Sequence, residues 1–552
     1  NKAELANHAL VLMIQSLSES LHQPIAVFAS KGPIKGIDLS KIVVKAILLL
    51  ENVGVEVVGL TSDGASTNRT MWTNLGISGK LDQLQNYFQN PADSSRRVYV
   101  FSDAPHLLKT IRNWLFTKKE LKIHPKKASI KWKIYETVFE HDSKSYLKVC
   151  PKLTKSHFQL NNFSKMKVKF ASQIFSKSMA DGIVFFKSKN YLGFDESEET
   201  VEFTLLLNNI FDALNRKFSA EGIKKNSQDI KVLNDALEWL NNWENNLNNN
   251  IIKEEQFLTQ QTAEGLRVTL KSTIDLVNYL LNDCGFAYVL TSKLNQDCLE
   301  RFFGIIRQVS GPNDHPSTPT FLQLYRMLSM YSIIKPPKMG NCSILEGKNV
   351  SVITISDLKS IINEPNSTNE RLEKIKNLEK KIDDIVEEGY WTLDDIFKEH
   401  NYSNLDSTVF ECIVYFLAGY ITKRLLKHTK CEVCKSSLQV AKGKSPNPAA
   451  DLVNLKTRGF LTHVNQNLFQ IIQVLETCFL KNASSANPFD DTFEEFFCTE
   501  NLKLCFPCVD HKTDVLTHIC VMIITMRMRQ YSWLKNQETK KINKTKKKKL
   551  LN

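Results

Sequence analysis

The chain has 552 residues, 42% of them apolar. At about 150 residues per domain that suffices for three or four packed domains and excludes a disordered chain. No apolar run approaches the roughly 20 residues of a membrane-spanning helix. Lys and Arg outnumber Asp and Glu by 72 to 59, a net +13 that invites a polyanionic partner. About half of that excess sits at one end, where the eight lysines from Lys535 to Lys549 face only Glu538. Residues 1–19 lack the basic start, apolar stretch and small-residue cleavage site of a secretory leader. The twelve cysteines are therefore expected as core thiols or metal ligands in a reducing compartment. Asn1 is not a start methionine, and a globular pattern begins almost at once, so a fragment is expected.

The first 120 residues read as α/β. Apolar runs at Ala9–Ile14 and Pro24–Ala29 suit two strands paired as a hairpin. Ile42–Leu50 has helical spacing and a stop at Asn52-Val53-Gly54. Val55–Thr61 reads as a buried strand ending at Asp63-Gly64, and Ser66–Leu75 as a short helix. Val98–Phe101 is a further strand, and Pro105–Phe116 a helix with proline in its first turn. From about 122 to 285 apolar residues recur with period 3.6, as in Phe203, Leu206, Leu207, Ile210, Phe211 and Leu214. Residues 292–309 read as one amphipathic helix, followed by a Pro-rich loop at Gly311–Pro319 and another helix. Residues 337–400 read as a charged linker with one exposed helix near 369–388, and 408–535 as a second apolar region containing cysteines. No repeat has a fixed period.

Several polar groups stand where chemistry is placed in such folds, and each has a plain structural reading too. Asp63 follows a strand, where open α/β sheets put their sites and where a carboxylate can ligate Mg²⁺; it also suits a local cap in an Asp-Gly turn. Asp103 and His106 occupy another strand-to-helix turn, with Asp103 a natural N-cap and His106 expected neutral. On the 292–309 helix, Leu294, Cys298, Phe302 and Ile306 form the apolar stripe. Asp297, Glu300, Gly304 and Arg307 share the other face, which suits a metal site beside phosphate or an ordinary solvated surface. Gly304 suggests close approach of another backbone. Cys431-x-x-Cys434 has half-site spacing for zinc; Cys505, Cys508, His511 and His518 are candidates for the other half, and buried thiols fit equally well. There is no Gly-x-x-x-x-Gly-Lys-Ser/Thr loop, no Gly-x-Gly-x-x-Gly turn and no Ser/His/Asp nucleophile arrangement.

Taken in order, the segments resemble P element transposases and related THAP-domain transposase-like proteins. The resemblance is carried by Gly59-Leu-Thr-Ser-Asp63-Gly, Val98-Tyr-Val-Phe-Ser-Asp103-Ala-Pro-His106-Leu-Leu-Lys109, Lys152-Leu-Thr-Lys155 and Lys165-Met-Lys-Val168. It continues through Phe211-Asp212-Ala-Leu-Asn215, Glu264-Gly-Leu-Arg267-Val-Thr-Leu-Lys-Ser272 and Asn295-Gln-Asp297-Cys-Leu-Glu300-Arg-Phe-Phe-Gly304. Gly419-Tyr420, Cys431/Cys434 and Asp510-His511-Lys-Thr-Asp514 complete it.

The resemblance implies an α/β RNase H-like catalytic domain interrupted by a mainly α-helical GTP-binding insertion domain, plus a mainly helical C-terminal domain. The expected divisions are 1–121 and 286–336 for the RNase H-like parts, 122–285 for the insertion and 337–400 for the linker. Residues 401–535 form the C-terminal domain, and 536–552 a basic disordered tail. By resemblance Asp63 and Glu300 are catalytic carboxylates that hold Mg²⁺. Asp212, Asn215 and Asp297, with Lys152 and Lys155, would serve GTP. The zinc set Cys431, Cys434, His511 and His518 rests on spacing and not on the resemblance. Asp103 and His106 would form a supporting junction.

The first catalytic Asp, the THAP module and a coiled coil would lie ahead of Asn1. None of Glu4, Glu19, Asp38, Glu51 and Glu56 sits on a suitable strand. The activity implied is Mg²⁺-dependent cleavage and strand transfer on double-stranded DNA in the nucleus, by a homo-oligomer. The chain as given would be an incomplete enzyme. A domesticated, non-catalytic descendant and a free-standing guanine-nucleotide-binding protein are the competing readings.

Overall fold

A computed structural model describes residues 5–309, 317–334 and 407–528, apart from 20, 144–147, 441–442, 444, 458, 460, 484, 486–487, 499–507, 509 and 512–514. The expected linker at 337–400 with its helix near 369–388, Cys505 and the tail at 536–552 lie outside the described residues, as does most of the loop at 311–319. Among the described residues no helix is long and apolar enough to cross a membrane.

The strands of the hairpin and the three-stranded sheet are β1 (His8–Gln15), β2 (His22–Ser30), β3 (Gly59–Ser62), β4 (Tyr87–Gln89) and β5 (Arg97–Ser102); two strands of two residues each, Glu120–Leu121 and Ile130–Lys131, follow. Helices are numbered along the chain: α1 (Gly36–Asn52), α2 (Ser66–Asn74), α3 (Ala104–Lys118), α4 (Trp132–Asp142), α5 (Asn162–Met166) and α6 (Val168–Ile174). Next come α7 (Lys177–Ser188), α8 (Glu198–Ala213), α9 (Gln228–Asn248), α10 (Gln260–Asn282), α11 (Asp297–Val309) and α12 (Thr318–Ile334). The last are α13 (Ser407–His428), α14 (Glu432–Leu438), α15 (Asp451–Lys456), α16 (Gln466–Asn482), α17 (Pro488–Cys498) and α18 (residues 515–528).

The chain forms two compact units. The first contains the described residues of 1–130, 165–172 and 205–334. Its β1–β2 hairpin is antiparallel, as the two apolar runs predict. The register slips between Leu12 and Met13, beside Pro24, which has no N–H to give a ladder. In the second sheet β5 is central, parallel to β3 and antiparallel to β4. Its two edges are paired by β3 and β4 and helices pack on it, so Val98, Tyr99, Val100 and Phe101 are buried in unbroken succession. One core joins Leu39, Val43 and Ile47 of α1, Met71 and Trp72 of α2, Val98 and Val100 of β5, and Val268 of α10. Leu10 of β1 and Leu60 of β3 pack against it. A second core sets Phe302 and Ile306 of α11 and Phe321 of α12 against Val11 of β1.

Helix α10 lies close against the sheet and its loops. An added Cβ at Gly79 would fall 2.5 Å from the Glu264 carbonyl oxygen, so glycine there is a packing requirement. Thr269 Oγ1 accepts the Ser102 N–H at 2.9 Å, and Asn86 Nδ2 donates to Asp275 at 3.0 Å.

The second unit holds the described residues of 131–164, 173–204 and 407–528. The Asp142 carboxylate at the end of α4 accepts the Val149 and Cys150 N–H groups, both at 2.7 Å. Lys189 pairs with Asp451 at 2.7 Å, and Lys456 donates to the Val149 carbonyl and to Ser178. Gly419 in α13 has the Thr462 carbonyl oxygen 2.5 Å from where a Cβ would stand. Helices α16 and α18 share a buried Glu476–Arg527 pair at 2.5 Å.

Candidate active site

Because β3 and β5 run parallel with Ser62 opposite Ser102, Asp63 and Asp103 both follow the carboxyl ends of neighbouring strands. The Asp103 N–H donates to the Ser62 carbonyl at 3.0 Å, which locks the two exits together. Asp63 Oδ1 accepts from Ala65 N at 2.9 Å and Asn68 Nδ2 at 2.7 Å. The local capping geometry is therefore present, and it also fixes the carboxylate at the strand end.

Asp103 does two things at once. Its Oδ2 accepts the His106 N–H at 3.0 Å as the N-cap of α3, whose second residue is Pro105. Its Oδ1 accepts the Gln296 N–H at 2.9 Å, just ahead of α11. Thr61 Oγ1 donates to the Leu294 carbonyl at 3.0 Å, so residues 294–296 are tied to both strands.

These bonds explain a departure from the single helix expected over 292–309. Thr291–Leu294 form a 3-10 turn, Asn295 and Gln296 break it, and the α-helix starts at Asp297. Asn295 Oδ1 accepts the Asp297 N–H at 3.0 Å, while Gln296 N is taken by Asp103. Leu294 thus leaves the helical stripe, whereas Phe302 and Ile306 remain in it, buried. Gly304 has no atom within 4 Å of an added Cβ, so the expected close approach does not account for it.

The shorter helix puts Asp297 and Glu300 in its first turn, where the helix dipole favours carboxylates. Asp297 lies 3.4 Å from Lys217 Nζ. Glu300 is exposed and makes no side-chain hydrogen bond or ion pair among the described residues.

Negative charge accumulates around Asp103. Burial pushes its carboxyl up to about 6, against the two N–H donors, and Glu300 and Asp297 push the same way. Burial and Lys109 hold His106 below the usual imidazole range, opposed by Asp63, which agrees with the neutral ring expected from sequence. A raised carboxyl binds more protons folded than unfolded, so its ionisation removes stability as pH rises from about 4 to about 6. In EDTA, Asp103→Asn should flatten that part of the stability–pH curve by on the order of 2 kcal/mol. Thermal unfolding of both proteins across this range checks it, and parallel curves would contradict the assignment.

Asp63, Asp103, Asp297 and Glu300 offer hard oxygen ligands suited to a divalent cation such as Mg²⁺. They surround the junction without closing on a point: among the described residues, the group of three or more donors within metal-binding reach of one another is Cys431, Cys434, Cys508 and His511. His518, expected there, is exposed on α18 and lies outside that group; Cys508 takes the place. Sequence spacing offered both residues and could not choose between them.

Asp212 ends α8, accepting from Asn208 Nδ2 at 3.1 Å, and Asn215 Oδ1 meets Asn295 Nδ2 at 3.3 Å. Thr291 Oγ1 bonds the Ala213 carbonyl at 2.6 Å, holding this corner beside the start of α11. Lys152 and Lys155 lie in the second unit. Of the early acidic residues, Asp38 and Glu51 are in α1, Glu19 is in the β1–β2 turn and Glu56 precedes β3. Asn68, Thr61 and Lys217 were not singled out by sequence, since each acts through a partner that only the fold supplies.

Four family models match in chain order. They are "TNP-like, RNase H N-terminal domain" over 1–76, "TNP-like, GTP-binding insertion domain" over 105–226, "TNP-like, RNase H C-terminal domain" over 292–326 and "DNA transposase THAP9, C-terminal domain" over 400–532. The Drosophila melanogaster "Transposable element P transposase" is 30% identical over 423 residues, 76% of this chain and 52% of that protein. The Homo sapiens "DNA transposase THAP9" is 24% identical over 446 residues, 77% of this chain and 46% of that protein. A solved "Drosophila P element transposase strand transfer complex" superposes with a TM-score of 0.51 at 29% identity, covering 59% of this chain and 70% of that one. The chain belongs to the P element transposase and THAP9-like family.

It spans about half the length of these curated relatives. Within the family frame, Asp63 falls in the RNase H N-terminal match, and Asp297 and Glu300 in the RNase H C-terminal match. Asp103 lies between the first two matches, while Asp212 and Asn215 fall in the GTP-binding insertion. The four Cys and His donors fall in the C-terminal domain. Residues far apart in sequence, from an RNase H-like half and from the insertion, thus meet at the first turn of α11.

Proposed function

We propose that this chain is the body of a DNA transposase that performs divalent-cation-dependent phosphoryl transfer, cleaving DNA strands and joining them to a target. The reading is supported by Asp63 and Asp103 following neighbouring parallel strands and by the bond from Asp103 to Gln296, just ahead of the helix whose first turn carries Glu300. Asp63 and Glu300 would hold Mg²⁺, a hard cation matched to carboxylate oxygens. When bound, the ion would supply Lewis acidity for in-line displacement at phosphorus. The protein's own groups set up that chemistry. Asn68 orients Asp63, Asp103 fixes the start of α11 and hence Glu300, and His106 stays neutral beside them.

A further carboxylate is proposed from a strand upstream of Asn1. Among the described residues β1 and β3 each pair on one side alone, although Leu10 and Leu60 share a core. The basic excess of the chain suits DNA phosphates, and the proposed setting is the nucleus, with a homo-oligomer holding transposon ends and target. Extended by its upstream sequence, the protein should cleave a labelled duplex carrying its source element's ends in Mg²⁺ and not in EDTA. Cleavage that persists in EDTA would overturn the mechanism.

The GTP-binding insertion supports GTP as ligand. We place its recognition at Asp212, Asn215 and Asp297, which the α8 corner and the start of α11 bring to one side of the first unit. A carboxylate such as Asp212 can accept from the guanine N–H edge, which adenine lacks. Asp212→Ala should weaken GTP binding at least tenfold, about 1.4 kcal/mol, the scale of one lost charged hydrogen bond. Titration with a fluorescent GTP analogue tests this; unaltered affinity would refute the placement.

A further inference from the structure

We propose that Cys431, Cys434, Cys508 and His511 form a closed structural zinc site that fastens the C-terminal helix of the second unit. The four donor atoms lie within 4.8 Å of one another, with Cys431 Sγ 3.9 Å from Cys508 Sγ and Cys508 Sγ 3.3 Å from His511 Nδ1. A tetrahedral zinc with bonds of about 2.0–2.3 Å sets its ligand atoms roughly 3.3–3.8 Å apart. The observed separations therefore suit one shared ion.

The sequence supplies the donors as two pairs, each with two intervening residues, the usual spacing of a zinc half-site. Cys431 caps the amino end of α14 and Cys434 lies one turn on, completely buried. Cys508 and His511 stand just ahead of α18. Apolar packing does not require such convergence: Cys412, Cys478 and Cys520 are also buried thiols, yet none joins the group. A Cys431–Cys508 disulfide would leave Cys434 and His511 gathered without a reason.

Four protein ligands leave no open position, so the site is structural and not hydrolytic. Its consequence is local. Beyond α14, Gln439 pairs with Val464, and Val440 N donates to the His463 carbonyl at 3.0 Å, leading into α16. Helix α18 buries Ile519, Ile523 and Ile524, and its Arg527 reaches Glu476 of α16. Zinc would join α14 to the start of α18 across a stretch of more than 70 residues, restricting the unfolded chain and fixing where α18 begins.

The test uses the full 552-residue chain purified under reducing conditions without chelators. Elemental analysis should find one zinc per chain, and cobalt exchange should give thiolate-to-metal absorption with tetrahedral bands. Cys508→Ser and His511→Ala should each bring zinc down to background, whereas His518→Ala and Cys478→Ser should keep it. If Cys508→Ser fails to fold, chelation of the wild-type chain provides the second measurement. Removal of zinc should then expose the 508–528 segment to protease, and readdition should restore protection. A zinc-free, folded wild-type chain in which the three site thiols Cys431, Cys434 and Cys508 titrate freely, or a Cys431–Cys508 disulfide found by mass spectrometry, would overturn the proposal. So would retention of zinc in both ligand variants.

Discussion

Glu300→Gln, in a protein completed by its upstream sequence, should reduce Mg²⁺-dependent strand cleavage at least about 10³-fold while leaving DNA binding and folding intact. The size follows from the several kcal/mol a bound metal contributes to the transition state, at about 1.4 kcal/mol per factor of ten. The absence of a folding effect follows from the structure. Glu300 is exposed and has no side-chain partner among the described residues, so an isosteric amide removes charge and nothing else. Asp63→Asn should cause a comparable loss. Its amide oxygen can still accept the Ala65 N–H, so the turn should survive at a cost of no more than about 1 kcal/mol. Asp297→Asn separates the two roles at the head of α11: its carboxylate is engaged with Lys217 and assigned here to nucleotide. It should depress GTP affinity more than cleavage measured at saturating GTP. Undiminished cleavage by Glu300→Gln would remove that residue from the active site.

What could be read from sequence was governed by how local the deciding bonds are. Continuous apolar runs gave the hairpin, helical spacing gave α1 and the Phe302–Ile306 stripe, and a proline in the first turn marked α3, because each of these signals is local in the chain. The strand expected over Val55–Thr61 is confined to Gly59–Ser62 for a reason outside its composition. Val55 N bonds back to the Leu50 carbonyl, and Val57 N donates to the Glu51 carboxylate, so these residues follow the end of α1 instead of a ladder. Strand β4 is three residues long and exists through pairing with β5.

The same limit applies to the site. Asp63 and Glu300 were found through their surrounding residues. The carboxylate that sets the start of α11, however, is Asp103, 193 residues away from the amide it holds. A cap for α3 was legible in Asp103; its second bond was not. The exchange of His518 for Cys508 has a similar origin, since a spacing rule cannot say which face of a helix a histidine will occupy.

Arg267→Leu should cost about 3–5 kcal/mol of stability, the range for breaking a buried ion pair by removing one partner. Arg267 is 1% exposed on α10, and each arm of its guanidinium is used. Nε donates to Asn241 Oδ1 at 2.8 Å, Nη1 to the Gly79 carbonyl at 2.6 Å, and Nη2 to the Glu244 carboxylate. The substitution would strand a buried Glu244 and a carbonyl pressed against α10, both without the donor that now satisfies them. Lysine should rescue little, because one ammonium cannot span three acceptors in a planar fork. Arg267→Leu with Glu244→Leu should recover part of the loss, since the unpaired charge is then gone. Chemical denaturation of the single and double variants measures both effects, and a single-variant cost below about 1 kcal/mol would mean that the site relaxes to water. The consequence reaches the proposed chemistry as well. Two residues along the same helix, Thr269 accepts the N–H of Ser102, the residue that leads directly into Asp103. Loosening α10 should therefore disturb the junction that positions Glu300, and Arg267→Leu should lower cleavage even at temperatures where the protein remains folded.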